Sequence, residues 1–214
     1  MTVAPHKWFF QAYDIGGLVV REGGHLERTF GSRRPEYYRG GAGSATAAAG
    51  DQPTPDAGHE TEAGRLDFYK LGFEGTRRWR ALKLWMSWKH LGTEGLGRLV
   101  AANVDLAAHL ARRCAEATDF EALPATPELS VVCFRHLPGG RDGALELPPG
   151  ALDAHQDRLQ AALEASGEGW LSTTRLRGAT YLRAGIVNYL ATEDDIDYLL
   201  EVLRYLAGRS DPPG

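Results

Sequence analysis

Between positions 40 and 64 the chain reads GGAGSATAAAGDQPTPDAGHETEAG, made of small and polar residues with two prolines and no large apolar side chain. A stretch of that composition buries nothing that would offset the entropy of ordering it, so it reads as a mobile loop or linker. A loop of such length inside a compact domain is either functional or disordered. The residues able to build a core fall on either side of it, in a short group before and a longer group after.

The longer group begins with TRRWRALKLWMSWKHLG, residues 76–92. Thr76, Arg80, Lys83, Ser87 and His90 fall at helical spacing on one polar stripe, while Trp79, Leu82, Leu84, Trp85, Met86 and Trp88 cover most of the remaining surface. The pattern predicts a largely buried helix. Gly92 ends it, and Thr93 is placed to cap a second helix with an apolar face of Leu96, Leu99, Val100, Ala107, Leu110 and Cys114. Farther on, LSVVCF (129–134), WLSTTRL (170–176) and ATYLRAGIV (179–187) read as strands, with a helical stretch over 151–165 between the first two. Thr192 and Asp195 form a capping-box signal ahead of Ile196, Leu199, Leu200, Leu203 and Leu206, which share one face of a helix. These elements predict an α+β unit, an antiparallel sheet covered by helices.

In the shorter group, YDIGGLVV (13–20) is apolar and partly β-branched and runs into the turn-like REGG, as a buried strand does. Residues 26–30 suit a short helix or turn. At 214 residues and 43% hydrophobic content the chain can bury a core as one domain or as two unequal pieces. A formal charge of -4 argues against a reader of the phosphate backbone, so nucleic acid is not an expected partner. Cys114 and Cys133 make no metal-spaced or redox pair, which fits a reducing cytoplasm. No signal-peptide pattern and no apolar run near the ~18 residues of a membrane span is present, so a soluble protein with no membrane association is expected.

Glycine-rich phosphate loops, HExxH, CxxC and GxSxG are absent, and the histidines show no ligand spacing. One candidate site stands before the apolar run, in PHKW. Most lysines are simply solvated, but Lys7 has a histidine on one side and an aromatic on the other. Partial desolvation there would lower its pKa and free the amine as a nucleophile toward an aldehyde. His6 is a structural histidine or a partner of that amine. Tyr37 and Tyr38, in RRPEYYRGG, are surface filler or proton donors carried in by a closing loop. The tryptophans of 79–88 read as core, and Arg77, Arg78 and Arg80 either solvate a helix start or hold a carboxylate.

PHKWFFQAYDIGGLVV, RPEYYR, RRWRALKLW, VCFR and LRAGIVNYLAT occur here in that order. Together they resemble the C-terminal portion of the pyridoxal-phosphate-dependent amino-acid decarboxylases of the aromatic-L-amino-acid (group II) family. The resemblance implies a truncated α/β, fold type I architecture. Residues 1–80 would be the end of the large cofactor domain, including a flexible loop over 31–66, and residues 81–214 the small α+β domain. It implies pyridoxal phosphate as cofactor, held through a Schiff base to Lys7 with His6 beside it. Tyr37 matches the loop tyrosine that protonates the substrate carbon after carbon dioxide leaves, and aldehyde-forming relatives carry phenylalanine there. The implied activity is that of a carboxy-lyase turning an aromatic L-amino acid into an amine, as a cytoplasmic homodimer. The alternative is a non-catalytic dimerisation or interaction module left from such an enzyme. Ala4 departs from the asparagine or aspartate usual two positions before the histidine. The family's long segment ahead of the lysine has no counterpart before Lys7, so the resemblance implies a fragment, a mis-called start or a chain that needs a complementary partner.

Overall fold

The structure, a computed structural model, describes residues 1–31, 68–148 and 150–210. Two short strands, β1 (Thr2–Val3) and β2 (Gly17–Leu18), pair antiparallel and are followed by helix α1 (Gly24–Phe30). A 3-10 turn at Phe68–Leu71 precedes the long helix α2 (Ala81–Glu116). Then come β3 (Phe120–Leu123), β4 (Val131–His136), α3 (Gly140–Leu145), α4 (Ala151–Ser166), β5 (Ser172–Leu176), β6 (Ala179–Gly185) and α5 (Glu193–Ser210).

The last four strands form one antiparallel sheet in the order β3-β4-β6-β5. Its register sets Val132 opposite Ala184 and Phe134 opposite Leu182. Directly opposed residues share a face, so these four side chains point the same way. There they meet Leu106, Leu110 and Cys114 of α2, Leu159 and Leu163 of α4, and Ile196, Leu200 and Leu203 of α5 in one buried cluster. The alternate residues, among them Cys133 and Arg183, occupy the opposite face. The predicted α+β unit is this sheet with helices on one side.

Local chemistry accounts for most boundaries. Arg177 and Gly178 both take positive φ, 52° and 83°, which is the backbone a two-residue hairpin loop needs between β5 and β6. At the start of α5, the Thr192 amide and hydroxyl donate to one Asp195 carboxylate oxygen at 2.8 and 2.9 Å, and the Asp195 amide returns a bond to the Thr192 hydroxyl at 3.4 Å. That is the capping box expected from the sequence. Gly92 breaks α2 with φ 69° and ψ 174°, a conformation only glycine adopts without strain. Thr93, expected as a cap, instead has its hydroxyl accept the Trp88 indole N–H at 3.2 Å.

Two expectations are corrected. The apolar run 13–20 is not a buried strand: only Gly17–Leu18 pairs, with Thr2–Val3, while Tyr13 is 80% and Leu18 57% exposed. A buried strand needs partners along its edges and cover on its faces, and the described residues supply one short neighbour. The helix predicted over 76–92 begins only at Ala81 and is not largely buried, since Trp79, Trp85 and Met86 are 73%, 57% and 58% exposed. Its half-buried stripe, Leu82, Lys83, Leu84 and Ser87, meets the 11–12 segment through Ser87 and Lys83. Strand β3 carries little sequence signal, since FEAL is short with only one strong strand former; pairing with β4 and docking of Phe120 into the core decide it. Among the described residues no helix is long and apolar enough to cross a membrane.

Candidate functional site

Residues 4–11 wind through tight turns after β1. The Lys7 amide donates to the Ala4 carbonyl at 3.0 Å, the Phe10 amide to the Lys7 carbonyl at 2.9 Å, and the Gln11 amide to the Pro5 carbonyl at 3.0 Å. The side chains that follow Lys7 fasten this turn to the rest of the molecule. The Trp8 indole N–H donates to the Ser130 hydroxyl, next to β4, at 2.7 Å. Phe9 packs on Trp88, and Phe10 meets the edge of Tyr189. The buried Gln11 amide donates to the Ser87 hydroxyl at 3.0 Å, and Lys83 of α2 donates to the Ala12 carbonyl at 2.7 Å.

Because residues 8 to 11 are all spent on anchoring, Lys7 itself is left pointing into solvent. The desolvation expected of its aromatic neighbour is therefore not provided among the described residues: Trp8 turns toward Ser130 instead of covering the amine. His6 points another way. Its ring stacks on Tyr13 with centroids 4.4 Å apart at 25°, and its Nδ1 lies 3.4 Å from the Ile15 carbonyl.

His6 and Tyr13 line a cleft of about 1250 Å³ that Lys7 does not line. Across it runs the approach to α2, from Glu74 to Leu84. Arg80 bridges the two sides, with Nε 2.9 Å from Asp14 and Nη1 3.4 Å from Glu74. The hydrogen bond from Arg80 holds the Asp14 carboxyl below its ordinary value, and Asp14 raises Arg80 in turn. Tyr37, the candidate proton donor, lies outside the described residues, as do Tyr38 and the 40–64 stretch. The structure thus sets His6 and Lys7 on one anchored turn, pointing apart.

Sequence reasoning missed the anchors Gln11 and Asp14, while of their partners Ser87 stood on the polar stripe and Arg80, offered as a holder of a carboxylate, does hold Asp14. A usable signal was there: the polar stripe on an otherwise apolar helix predicts polar partners. Here Lys83 and Ser87 of that stripe face the 5–14 segment.

The sequence matches the pyridoxal-dependent decarboxylase conserved domain over residues 58–137. It is 27% identical to an aromatic-L-amino-acid decarboxylase of Bacillus atrophaeus, over 97% of this chain and 38% of that protein. The chain is a homologue of the C-terminal part of the pyridoxal-dependent decarboxylases. The fold agrees. Tryptophan decarboxylase of Catharanthus roseus, solved with L-tryptophan, superposes with a TM-score of 0.72 at 22% identity, over 97% of this chain and 38% of that one. Mouse CSAD superposes with a TM-score of 0.74 at 24% identity, over 96% of this chain and 39% of that one. The chain thus spans about 38% of the length of the curated decarboxylase it matches. The stretch matched to the decarboxylase domain holds α2, β3 and β4 and does not include Lys7.

Proposed function

We propose that this chain contributes the C-terminal part of a pyridoxal-phosphate-dependent carboxy-lyase that converts an aromatic L-amino acid to its amine, as a homodimer in the cytoplasm. Residues 1–80 are read as the end of its cofactor domain and residues 81–214 as its small domain. The observation that carries the reading is the turn at Lys7: four successive side chains anchor it, and one primary amine is presented outward beside a histidine-lined cleft.

The exposed amine of Lys7 fits the aldehyde end of such a cofactor. Lys7 supplies the exposed amine able to hold an aldehyde carbon covalently, while the His6 ring is turned away from it toward Tyr13 and the Ile15 carbonyl, so its place beside the cofactor rests on the sequence resemblance. When bound, pyridoxal phosphate supplies the electron sink for loss of carbon dioxide. The protein's share is orientation, exclusion of water and the return of one proton. Trp8, Phe9 and Gln11 fix the backbone from which Lys7 projects. Tyr37 is assigned the proton, delivered to the carbon that carbon dioxide leaves; that assignment rests on the sequence resemblance.

The test is to incubate the chain with pyridoxal phosphate, reduce with borohydride and map the adduct by peptide mass spectrometry. Labelling concentrated on Lys7 and lost in Lys7→Ala is the expected result. Labelling scattered over the other lysines, or absent, overturns it.

A second reading, that the chain acts as a non-catalytic dimerisation or interaction module, is favoured by the exposure of Trp79, Trp85, Met86 and Trp88 along one segment. Contiguous apolar surface of this kind marks association sites.

A further inference from the structure

We propose that the groove between α5 and the end of α4 binds a small methylated ammonium ion, with Tyr198 and Tyr205 supplying ring faces and Glu168 and Glu201 the counter-charge. The groove measures about 350 Å³, at the small end of ligand sites, and Val202 and Leu206 supply its apolar lining. On α5, Tyr198, Glu201, Val202 and Tyr205 fall at i, i+3, i+4 and i+7, one stripe of the helix. The two tyrosines stand two turns apart, about 10.5 Å along the axis, so a cation seated between them comes within the roughly 6 Å over which a ring attracts it. Their side chains are 51% and 62% exposed and so open to a ligand. Gly167 closes α4 with φ 75°, and the turn it makes brings Glu168 to the Tyr198 hydroxyl, which donates to its carboxylate at 2.8 Å.

Charge and hydrogen bonding together select the ligand. Among the described residues that line the groove, the charged ones are Glu168 and Glu201, and residues 211–214 that follow α5 read DPPG, without a lysine or arginine. The hydrogen bond to Glu168, with the charges of Glu168 and Glu201, raises the Tyr198 hydroxyl above its ordinary value, so both carboxylates act on the same spot. The Tyr205 ring already draws one cation of the chain, the Arg209 guanidinium, which lies 5.4 Å from its centroid and does not line the groove. The groove's hydrogen-bonding atoms are largely engaged. Ser166 Oγ donates to the Leu163 carbonyl and accepts from the Glu168 amide, the Tyr198 hydroxyl donates to Glu168, and the Tyr205 hydroxyl accepts from Arg209. A primary ammonium needs acceptors for its three N–H donors, whereas a fully methylated one needs none and gains from ring faces and a nearby negative charge.

None of the lining residues belongs to the 5–17 segment or to the start of α2. The groove is therefore separate from the Lys7 turn and from the cleft beside Asp14, and the inference stands whether or not the chain serves a decarboxylase.

The test uses the whole chain with choline as probe, followed by ligand-observed NMR. Dimethylbutanol, the uncharged carbon isostere of choline, and ethanolamine, its primary-ammonium form, serve for comparison. Choline is expected to bind saturably and each of the other two to be weaker by about fivefold, equivalent to about 1 kcal/mol. Glu201→Gln and Tyr205→Leu are each expected to weaken choline by about threefold or more, while Trp79→Leu, in the cleft beside Asp14, binds as the parent. Glu201 and Tyr205 are exposed, and a matching thermal melt shows that a loss is not unfolding. Phosphocholine, the lipid-headgroup form of the cation, is expected to bind more weakly than choline because its phosphate meets the two carboxylates. Phosphocholine binding as well as choline or better overturns the free cation as the ligand. Equal binding of dimethylbutanol or ethanolamine, unaffected variants, or no saturable binding of choline overturns the proposal as a whole. Failure here leaves the Lys7 labelling result untouched, so the two readings fail separately.

Discussion

Asp119 shows how much one side chain can tie together at the residue scale. Arg204 of α5 reaches it with two hydrogen bonds, Nε at 2.6 Å and Nη2 at 3.1 Å, and lies over the Phe120 ring. The pair joins α5 to the connection between α2 and β3. That hydrogen bonding holds the Asp119 carboxyl below its ordinary 3.8. A carboxyl depressed in the folded state stabilises above its unfolded value and stops doing so as pH falls through the folded one. Asp119→Asn should therefore cost about 1 kcal/mol in urea unfolding at pH 7, as partly exposed bidentate pairs do, with the difference shrinking as pH drops below 3.8. A cost that persists unchanged in acid would assign the effect to packing. Cys114 gives a second residue-scale prediction. Burial pushes its thiol up to about 12, and Cys133 is also raised by burial. Both should resist alkylation at pH 8 in the native chain and react after urea is added, as mass spectrometry would read. At Tyr37, the proposed proton donor, Tyr37→Phe in an active assembly should lower the rate of amine formation, seen by chromatography of the amine product.

At the scale of elements, α2 is two helices held end to end by Gly92. The half after the break contributes Leu106, Ala107, Leu110 and Cys114 to the core, while the half before it contacts mainly the 5–14 loop through Ser87, Lys83 and Trp88. With φ at 69° and ψ at 174°, Gly92 sits where any side chain is strained although open space surrounds it. Gly92→Ala should therefore destabilise by about 1–3 kcal/mol through backbone strain alone. Chemical denaturation followed by far-ultraviolet circular dichroism measures this. A neutral substitution would mean that the two halves re-aim freely.

On the scale of the whole molecule, the four-stranded sheet and its helices have a closed core and the first part of α2 does not. Trp79, Trp85 and Trp170 are 73%, 57% and 67% exposed, so tryptophan fluorescence of dilute protein should lie close to that of indole in water. If the α2 face is an association surface, raising the concentration should shift the emission to the blue together with a rise in sedimentation coefficient. Trp85→Lys should abolish both changes while leaving the thermal melt of the sheet domain in place. Emission and sedimentation that ignore concentration would mean the face stays solvated in this chain by itself.

The α+β half was legible because its signals are local. The capping box at Thr192 and Asp195 and the apolar spacing of Ile196, Leu200 and Leu203 depend on neighbours within a turn or two, and strands 131–136 and 179–185 on their own residue pattern. The sequence likewise determined that a lysine stands beside a histidine ahead of an apolar run. Tertiary structure decided the remainder. Whether 13–20 is a strand depends on a pairing partner, whether Trp85 is core depends on what faces it, and whether Trp8 shields Lys7 depends on Ser130, far away in the chain. Each of these is a contact between distant segments. Residue type sets how much a contact is worth, but only the fold determines whether its partner is there.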